Sequence, residues 1–177
     1  MSENINKQEQ DYYLTYGFGY VNLKTLSNDI LQEIDIFVPR EDGVKINILK
    51  LKNLAGKKRK LKLIYYIKPV LGEDEASTSG YIKVGKEGNI VTAQNLYTNL
   101  FREYVAYISS SENVKSYTGD KEFFVGSKTL REPEGMDKVS LDNRSGLRKT
   151  KLCCYGNRDR ARELREQRNL FNIWTRK

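Results

Sequence analysis

Residues 33–53 read "EIDIFVPREDGVKINILKLKN", and this stretch decides the fold class. Ile34, Ile36 and Val38 alternate with Glu33, Asp35 and Phe37, the period of two that puts one set of side chains on each face of a strand. Pro39 ends the run, because proline has no N–H to give to a ladder. Asp42 and Gly43 supply a turn signal, and Val44, Ile46 and Ile48 resume the alternation. The apolar phase slips by one at Leu49 and Leu51, which predicts a β-bulge.

The pattern continues on the C-terminal side. "NLAGKKRK" (53–60) reads as a turn around Gly56, and in "LKLIYYIK" (61–68) Leu61, Leu63, Tyr65 and Ile67 keep a period of two. "GYIKVGKEGNIVTAQN" (80–95) reads as a hairpin around Gly85 to Asn89, its loop flanked by β-branched residues. "REYVAYIS" (102–109) and "KEFFVG" (121–126) are two further candidate strands. Turn signals every 8–12 residues or so are what an antiparallel sandwich produces. No segment before residue 148 has the spacing of an amphipathic helix, so the body is predicted all-β.

The last thirty residues differ. "GNRDRARELREQRNLF" (156–171) has good helix propensity, with Arg162 and Glu166 at i,i+4. It has too few apolar residues for a core-facing stripe, so the tail is expected to be a solvated helix or disordered. It also carries the charge. Residues 148–177 hold ten basic and three acidic residues, +7 of the chain's +8, leaving 21 basic and 20 acidic residues before them. The basic balance therefore describes the tail, and the body is nearly neutral.

Composition excludes several chemistries. The 177-residue chain has no histidine, which removes histidine-based triads, histidine metal sites and histidine proton shuttles. Its two cysteines, Cys153 and Cys154, are adjacent, a geometry that strains a mutual disulfide and fits no metal spacing. No apolar run is long enough to cross a bilayer, and the polar first twelve residues lack a signal-peptide core. The expectation is a cytoplasmic protein with no membrane partner.

Three segments invite a functional reading. "GKKRKLKLIYYIK" (56–68) mixes cations with tyrosines as a nucleic-acid surface does, but alternation of Lys60 and Lys62 with Leu61 and Leu63 fits a strand with outward lysines better. "GEDEAS" (72–77) clusters Glu73, Asp74 and Glu75 without the alternating ligands of a calcium loop, and reads as a solvated acidic loop. "YGFGY" (16–20) matches neither a dinucleotide nor a phosphate fingerprint. Tyr16, Phe18 and Tyr20 beside two glycines are candidates for a flat platform under a sugar ring, or for packing at a strand start. No spacing identifies paired catalytic carboxylates, so no catalytic residue and no metal ligand is assigned.

The order of these segments resembles a known family. "YGFGY" (16–20), "EIDIFVPREDGVKINILKLKN" (33–53), "YYIKPVLG" (65–72), "AQN" (93–95), "FREYVAY" (101–107) and "YTGDKEFFVG" (117–126) follow one another as in the amino-terminal β-sandwich of glycoside hydrolase family ninety-four, once called glycosyltransferase family thirty-six. That family includes cellobiose and related phosphorylases and the phosphorylase-like part of cyclic β-1,2-glucan synthases. The resemblance spans residues 12–147. It implies an antiparallel supersandwich, galactose mutarotase-like, packed against an α/α-barrel catalytic domain. It also implies a β-glucan or β-glucoside substrate, inorganic phosphate as co-substrate with no other cofactor, and a homodimer contact. Inverting phosphorolysis needs an acid that protonates the glycosidic oxygen while phosphate attacks the anomeric carbon. In the family that acid belongs to the barrel, so this chain alone is expected to be inactive. Tyr16 stands where the family commonly has histidine.

The family's sandwich continues with further strands where this chain has its arginine-rich tail. If the tail's arginines use AGA or AGG codons, reading one base later from Leu152 permits Phe-Val-Ala-Met-Glu-Ile-Glu-Ile-Glu-Leu, an alternating half-buried strand. A second apolar run then follows, with a glycine forced where Trp174 meets Thr175. The resulting division is a flexible N-terminus (1–11), an incomplete sandwich (12–147) and a frame-shifted basic tail (148–177). The competing reading takes the tail as genuine and the protein as a small basic nucleic-acid binder.

Overall fold

Four strands joined by short connections open the fold as an antiparallel meander: β1 (Tyr12–Gly17), β2 (Tyr20–Ser27), β3 (Ile30–Phe37) and β4 (Lys45–Asn53). Asn28 and Asp29 join β2 to β3 with φ of +50° and +58°, the left-handed pair of a type I′ hairpin that asparagine and aspartate tolerate. Arg59 donates to the Asn28 carbonyl and, at 3.3 Å, to the Asp29 carboxylate. The structure, a computed structural model, describes residues 11–97, 99, 102–147, 151–158 and 167–176. The flexible segment expected at the N-terminus falls, apart from Asp11, outside the described residues.

The remaining elements are β5 (Lys62–Ile67), α1 (Glu75–Thr78), β6 (Ile82–Glu87), β7 (Ile90–Asn95), β8 (Val105–Ser110), β9 (Ser116–Asp120), α2 (Lys121–Val125), β10 (Gly146–Leu147), β11 (Lys151–Arg158) and β12 (Gln167–Arg176). They complete two antiparallel sheets. One has nine strands in the order β1-β2-β3-β4-β12-β8-β7-β6-β10, and the other has three in the order β5-β11-β9. The all-β antiparallel sandwich expected from periodicity is the observed architecture.

Three expectations are corrected. No bulge interrupts β4, whose register with β3 runs unbroken from Asn53 to Ile46. The phase slip has another cause: Asn47 lies on the core face with Leu51, its side-chain amide donating to the Tyr65 hydroxyl at 3.4 Å. Hydrogen bonding lets that polar residue take an interior position, so the apolar pattern skips it. Burial pushes the Tyr65 hydroxyl up to about 12 from its ordinary 10.0, against the effect of the Asn47 contact. Second, "KEFFVG" is a short helix, α2, not a strand. Asp120 caps it, accepting from the Phe123 N–H at 3.1 Å, and a capping carboxylate overrides the β propensity of Phe-Phe-Val.

The third correction concerns the tail. The described residues at the two ends of the stretch expected to be helical are strand, within β11 and β12, while 159–166 lie outside the described residues. β12 sits between β4 and β8, and β11 between β5 and β9. The described parts of the tail therefore supply an interior strand to each sheet.

Two hydrophobic clusters flank the three-stranded sheet. Ile82, Val84, Val91, Ala93, Ala106, Ile108 and Tyr117 fill the space between the sheets, joined by Tyr65 and Ile67 from β5. The alternate residues of β5, Ile64 and Tyr66, pack on a second cluster around Phe124 and Leu141. Strand β5 is thus apolar on both faces because it is covered on both, by the large sheet and by the α2 segment. Lys62 anchors that outer layer, its ammonium donating to the carbonyls of Gly135 and Met136 at 3.1 Å and to that of Lys138. Lys62→Met keeps the aliphatic stem but strands those carbonyls. It should cost about 2–3 kcal/mol of stability, read by urea unfolding.

Candidate functional site

The β1–β2 hairpin holds all three residues singled out as a sugar platform. Strand β1 is paired with β2 from Tyr12 opposite Thr25 to Gly17 opposite Tyr20, which leaves Phe18 and Gly19 as a two-residue turn. Gly19 takes φ +82° there, a conformation that favours glycine. Gly17 is needed for a different reason. A Cβ at that position would lie 2.4 Å from Cε1 of Tyr20, so the missing side chain makes room for the tyrosine ring across the hairpin.

The hairpin's end meets the ends of β3 and β4 in an open cleft of about 480 Å³, lined by Tyr16, Gly17, Gly19, Tyr20, Val21, Ile36, Phe37, Val38 and Lys45. Tyr16 and Tyr20 both line it, but from opposite faces of the hairpin: Tyr16 stands opposite Val21, on the face of Ile36 and Lys45, while Tyr20 stands opposite Gly17, on the face of Phe37. Phe18 does not line the cleft; it projects from the turn, fully exposed. Tyr16 is 76% exposed and Tyr20 48%, so both rings offer a face to solvent instead of filling the core. Sequence reading missed Phe37, Val38 and Lys45. Val38 and Lys45 flank the β3–β4 connection, and only the pairing of β2 with β3 carries that connection to the hairpin tip.

This set of side chains can bind but has no means of catalysing glycosyl transfer. Among its lining residues are aromatic faces, one ammonium and no carboxylate, whereas transfer needs an acid to protonate the leaving oxygen. The one close pair of carboxylates on β3 does not provide it. Glu33 and Asp35 share Lys50, which lies 3.0 Å from one and 2.9 Å from the other, and Asn22 donates to both, at 3.2 and 2.5 Å. The Asn22 amide, with Lys50 behind it, holds the Asp35 carboxyl below its ordinary 3.8. A general acid needs the opposite shift. With a lowered folded value, Asp35 stabilises the fold above pH 3.8, and that contribution is lost as pH falls through the folded value. Asp35→Asn should therefore flatten the decline of stability below pH 4 or so in urea titrations run at stepped pH.

The other charged segments are occupied by structure. Asp74 caps α1, accepting from the Ser77 N–H at 2.8 Å, which holds its carboxyl below the ordinary 3.8. Glu75 pairs with Lys68. In "GKKRK", Arg59 is committed to the β2–β3 turn. Among the described residues no helix is long and apolar enough to cross a membrane.

The fold and the ordered motifs agree with what comparison with known proteins finds. A chain described as a kojibiose phosphorylase from human microbiome superposes with a TM-score of 0.50 over 88% of this chain, at 12% identity. That likeness concerns the fold. This chain spans only 17% of that one's length. No curated protein matches the sequence. The sequence profile of the glycosyl hydrolase 94 supersandwich domain matches residues 2–155, reaching past the β-rich body and into β11. Most of the chain is thus covered in a single match, and the protein belongs to the glycosyl hydrolase 94 supersandwich-domain family.

Proposed function

We propose that this chain is the sugar-recognising, non-catalytic sandwich of a carbohydrate-active enzyme of the β-glucoside phosphorylase or cyclic glucan synthase type, working in the cytoplasm. The observation that carries the reading is the hairpin cleft: the exposed ring of Tyr16 on the same face as Lys45, with Tyr20 at its rim and no carboxylate among its lining residues. Aromatic faces take up the C–H side of a pyranose, and an ammonium hydrogen-bonds its hydroxyls, which suits an uncharged glucoside. The reacting acid and the phosphate site belong to an α/α-barrel that this sandwich supports. Incubated with phosphate and β-glucosides, the chain should release no glucose 1-phosphate. Tyr16→Ala and Tyr20→Ala should each weaken oligosaccharide binding by roughly tenfold, about the loss of one stacked ring. Turnover by the chain alone, or unchanged binding in both variants, would overturn the assignment.

We also infer that residues after about 147 derive from a shifted reading frame. What supports this is a mismatch between slot and sequence. The register sets Gln167 opposite Leu51 and Asn169 opposite Leu49 on β4, and β8 joins on the other side from Phe171 onward. An interior strand ordinarily alternates apolar with polar residues, and Gln167 and Asn169 break that alternation opposite two leucines. The frame one base over supplies that alternation, and the gene's nucleotide sequence decides between the two. The rival reading, a nucleic-acid arm, requires a free tail, which placement of β11 and β12 inside the sheets disfavours.

A further inference from the structure

Of the eight exposed aromatic side chains among the described residues, six stand at one end of the large sheet. The registers put them there. The β1–β2 turn, the end of β3 and the start of β4 share that end with the start of β8, the end of β7 and the start of β6. Tyr16, Phe18 and Tyr20 occupy one side of it, at the hairpin. Tyr81 before β6, Tyr97 after β7 and Tyr104 before β8 occupy the other. The remaining two, Tyr12 and Tyr13, lie at the opposite end, where β1 begins.

The second group holds a stacked pair. The rings of Tyr81 and Tyr97 lie 4.5 Å apart between centroids, tilted by 35°. Each is about half exposed, at 46% and 53%, and neither belongs to either hydrophobic cluster. The backbone fixes where they stand. The Leu96 N–H donates to the Tyr81 carbonyl at 3.0 Å, and the Tyr97 N–H donates to the side-chain oxygen of Asn95 at 2.8 Å. Asn95 is fully buried, and its amide in turn donates to the Leu71 carbonyl. A buried polar side chain is thus spent on the turn that presents Tyr97. Rings held in place this way lose little freedom when a ligand stacks on them.

We propose that the Tyr81–Tyr97 pair is a second saccharide platform, reached by a β-glucan chain that is seated in the hairpin cleft and runs along this end of the sheet. The proposal rests on the sugar-recognising reading of the cleft. Aromatic faces take up the C–H side of a pyranose at both places, and the tyrosine hydroxyls supply a polar edge. Between Lys45 on β4 and the tyrosine pair on β7 and β6 lie β12 and β8, a gap of roughly 15–20 Å at the usual strand spacing. A disaccharide does not bridge that gap, whereas a chain of several sugars does, with Tyr104 at the head of β8 on the way. Two contacts on one ligand raise its affinity through effective concentration. The ligand class favoured is therefore a glucan of several units.

The test titrates the whole chain by calorimetry with β-linked glucose disaccharides and with the matching octasaccharides, and follows amide shifts in parallel. The octasaccharide should bind about tenfold or more tightly than the disaccharide, shifting the amides of Tyr81 and Tyr97 together with those of Tyr16 and Lys45. Tyr81→Ala and Tyr97→Ala should each remove most of that gain. A gain that survives both substitutions overturns the proposal. Disaccharide shifts at Tyr16 and Lys45, with an octasaccharide that binds no more tightly and leaves Tyr81 and Tyr97 unmoved, overturn this proposal alone and leave the cleft reading standing. That is the result expected if the pair instead contacts another protein domain. No shift at Tyr16 and Lys45 with either ligand overturns the proposal and the cleft reading together. Should a variant not fold, the shifts in the unmodified chain decide the matter.

Discussion

Ending the chain at Leu147 is expected to abolish its cooperative unfolding transition. The deletion removes β11 and β12, and each bridges strands that do not otherwise pair. Without β12 the large sheet divides into β1-β2-β3-β4 and β8-β7-β6-β10, and without β11 the strands β5 and β9 lose the neighbour that joins them. Four new interior edges would face water with unpaired N–H and C=O groups, and the cluster around Ile82, Val84 and Ile108 would lose the sheet that closes over it. A domain held by some 5–15 kcal/mol does not survive that loss. Circular dichroism during heating should show a broad, sloping change for the truncated chain in place of a sigmoid. A sigmoid within a few degrees of the full chain's would mean that residues 148–177 are an appended arm after all.

Phe124→Ala is the largest single-residue effect expected. Phe124 is completely buried. It packs with Leu141, Ile64, Tyr66 and Met136 in the outer cluster, its ring centroid 5.4 Å from that of Tyr66. Truncating a buried phenylalanine costs about 3–5 kcal/mol, part for the lost burial and part for the cavity left behind. Collapse into the cavity is restrained here, because Lys62 pins the overlying loop by its carbonyls and the Tyr66 hydroxyl donates to the Leu130 carbonyl at 3.1 Å. Urea unfolding should place the midpoint far below that of the parent chain, with little change in slope. The result discriminates, because a surface helix merely laid on the sheet would lose under 1 kcal/mol or so.

The features that were legible in the sequence are those set by local periodicity. β3 and the second half of β5 were readable because Ile34, Ile36, Tyr65 and Ile67 repeat every two residues. Asn47 was misread as a bulge because its hydrogen-bond partner, Tyr65, lies on another strand, and no local rule reveals that a polar side chain will be satisfied across the sandwich. Helix α2 was misread because the decisive residue, Asp120, acts through the backbone N–H of Phe123, while Phe-Phe-Val by itself favours a strand. In the candidate site, Tyr16 and Tyr20 were found from their glycine neighbours. Lys45 was not, because it joins them only through the registers of β2 with β3 and of β3 with β4. The tail was least legible. Its arginines suggested a solvated helix, yet the topology needs strands where it lies, and strand demand comes from distant neighbours and not from residues 148–177 themselves.

The central claim is that the hairpin cleft recognises sugar without acting on it. The most direct measurement is a titration of the isotopically labelled chain with a β-linked gluco-oligosaccharide in the presence of phosphate, followed by amide shifts and by phosphorus resonances in the same sample. The account predicts saturable shifts at Tyr16, Gly17, Tyr20 and Lys45, with the inorganic phosphate signal unchanged. Shifts confined to other strands, or the growth of a sugar phosphate resonance, would contradict it.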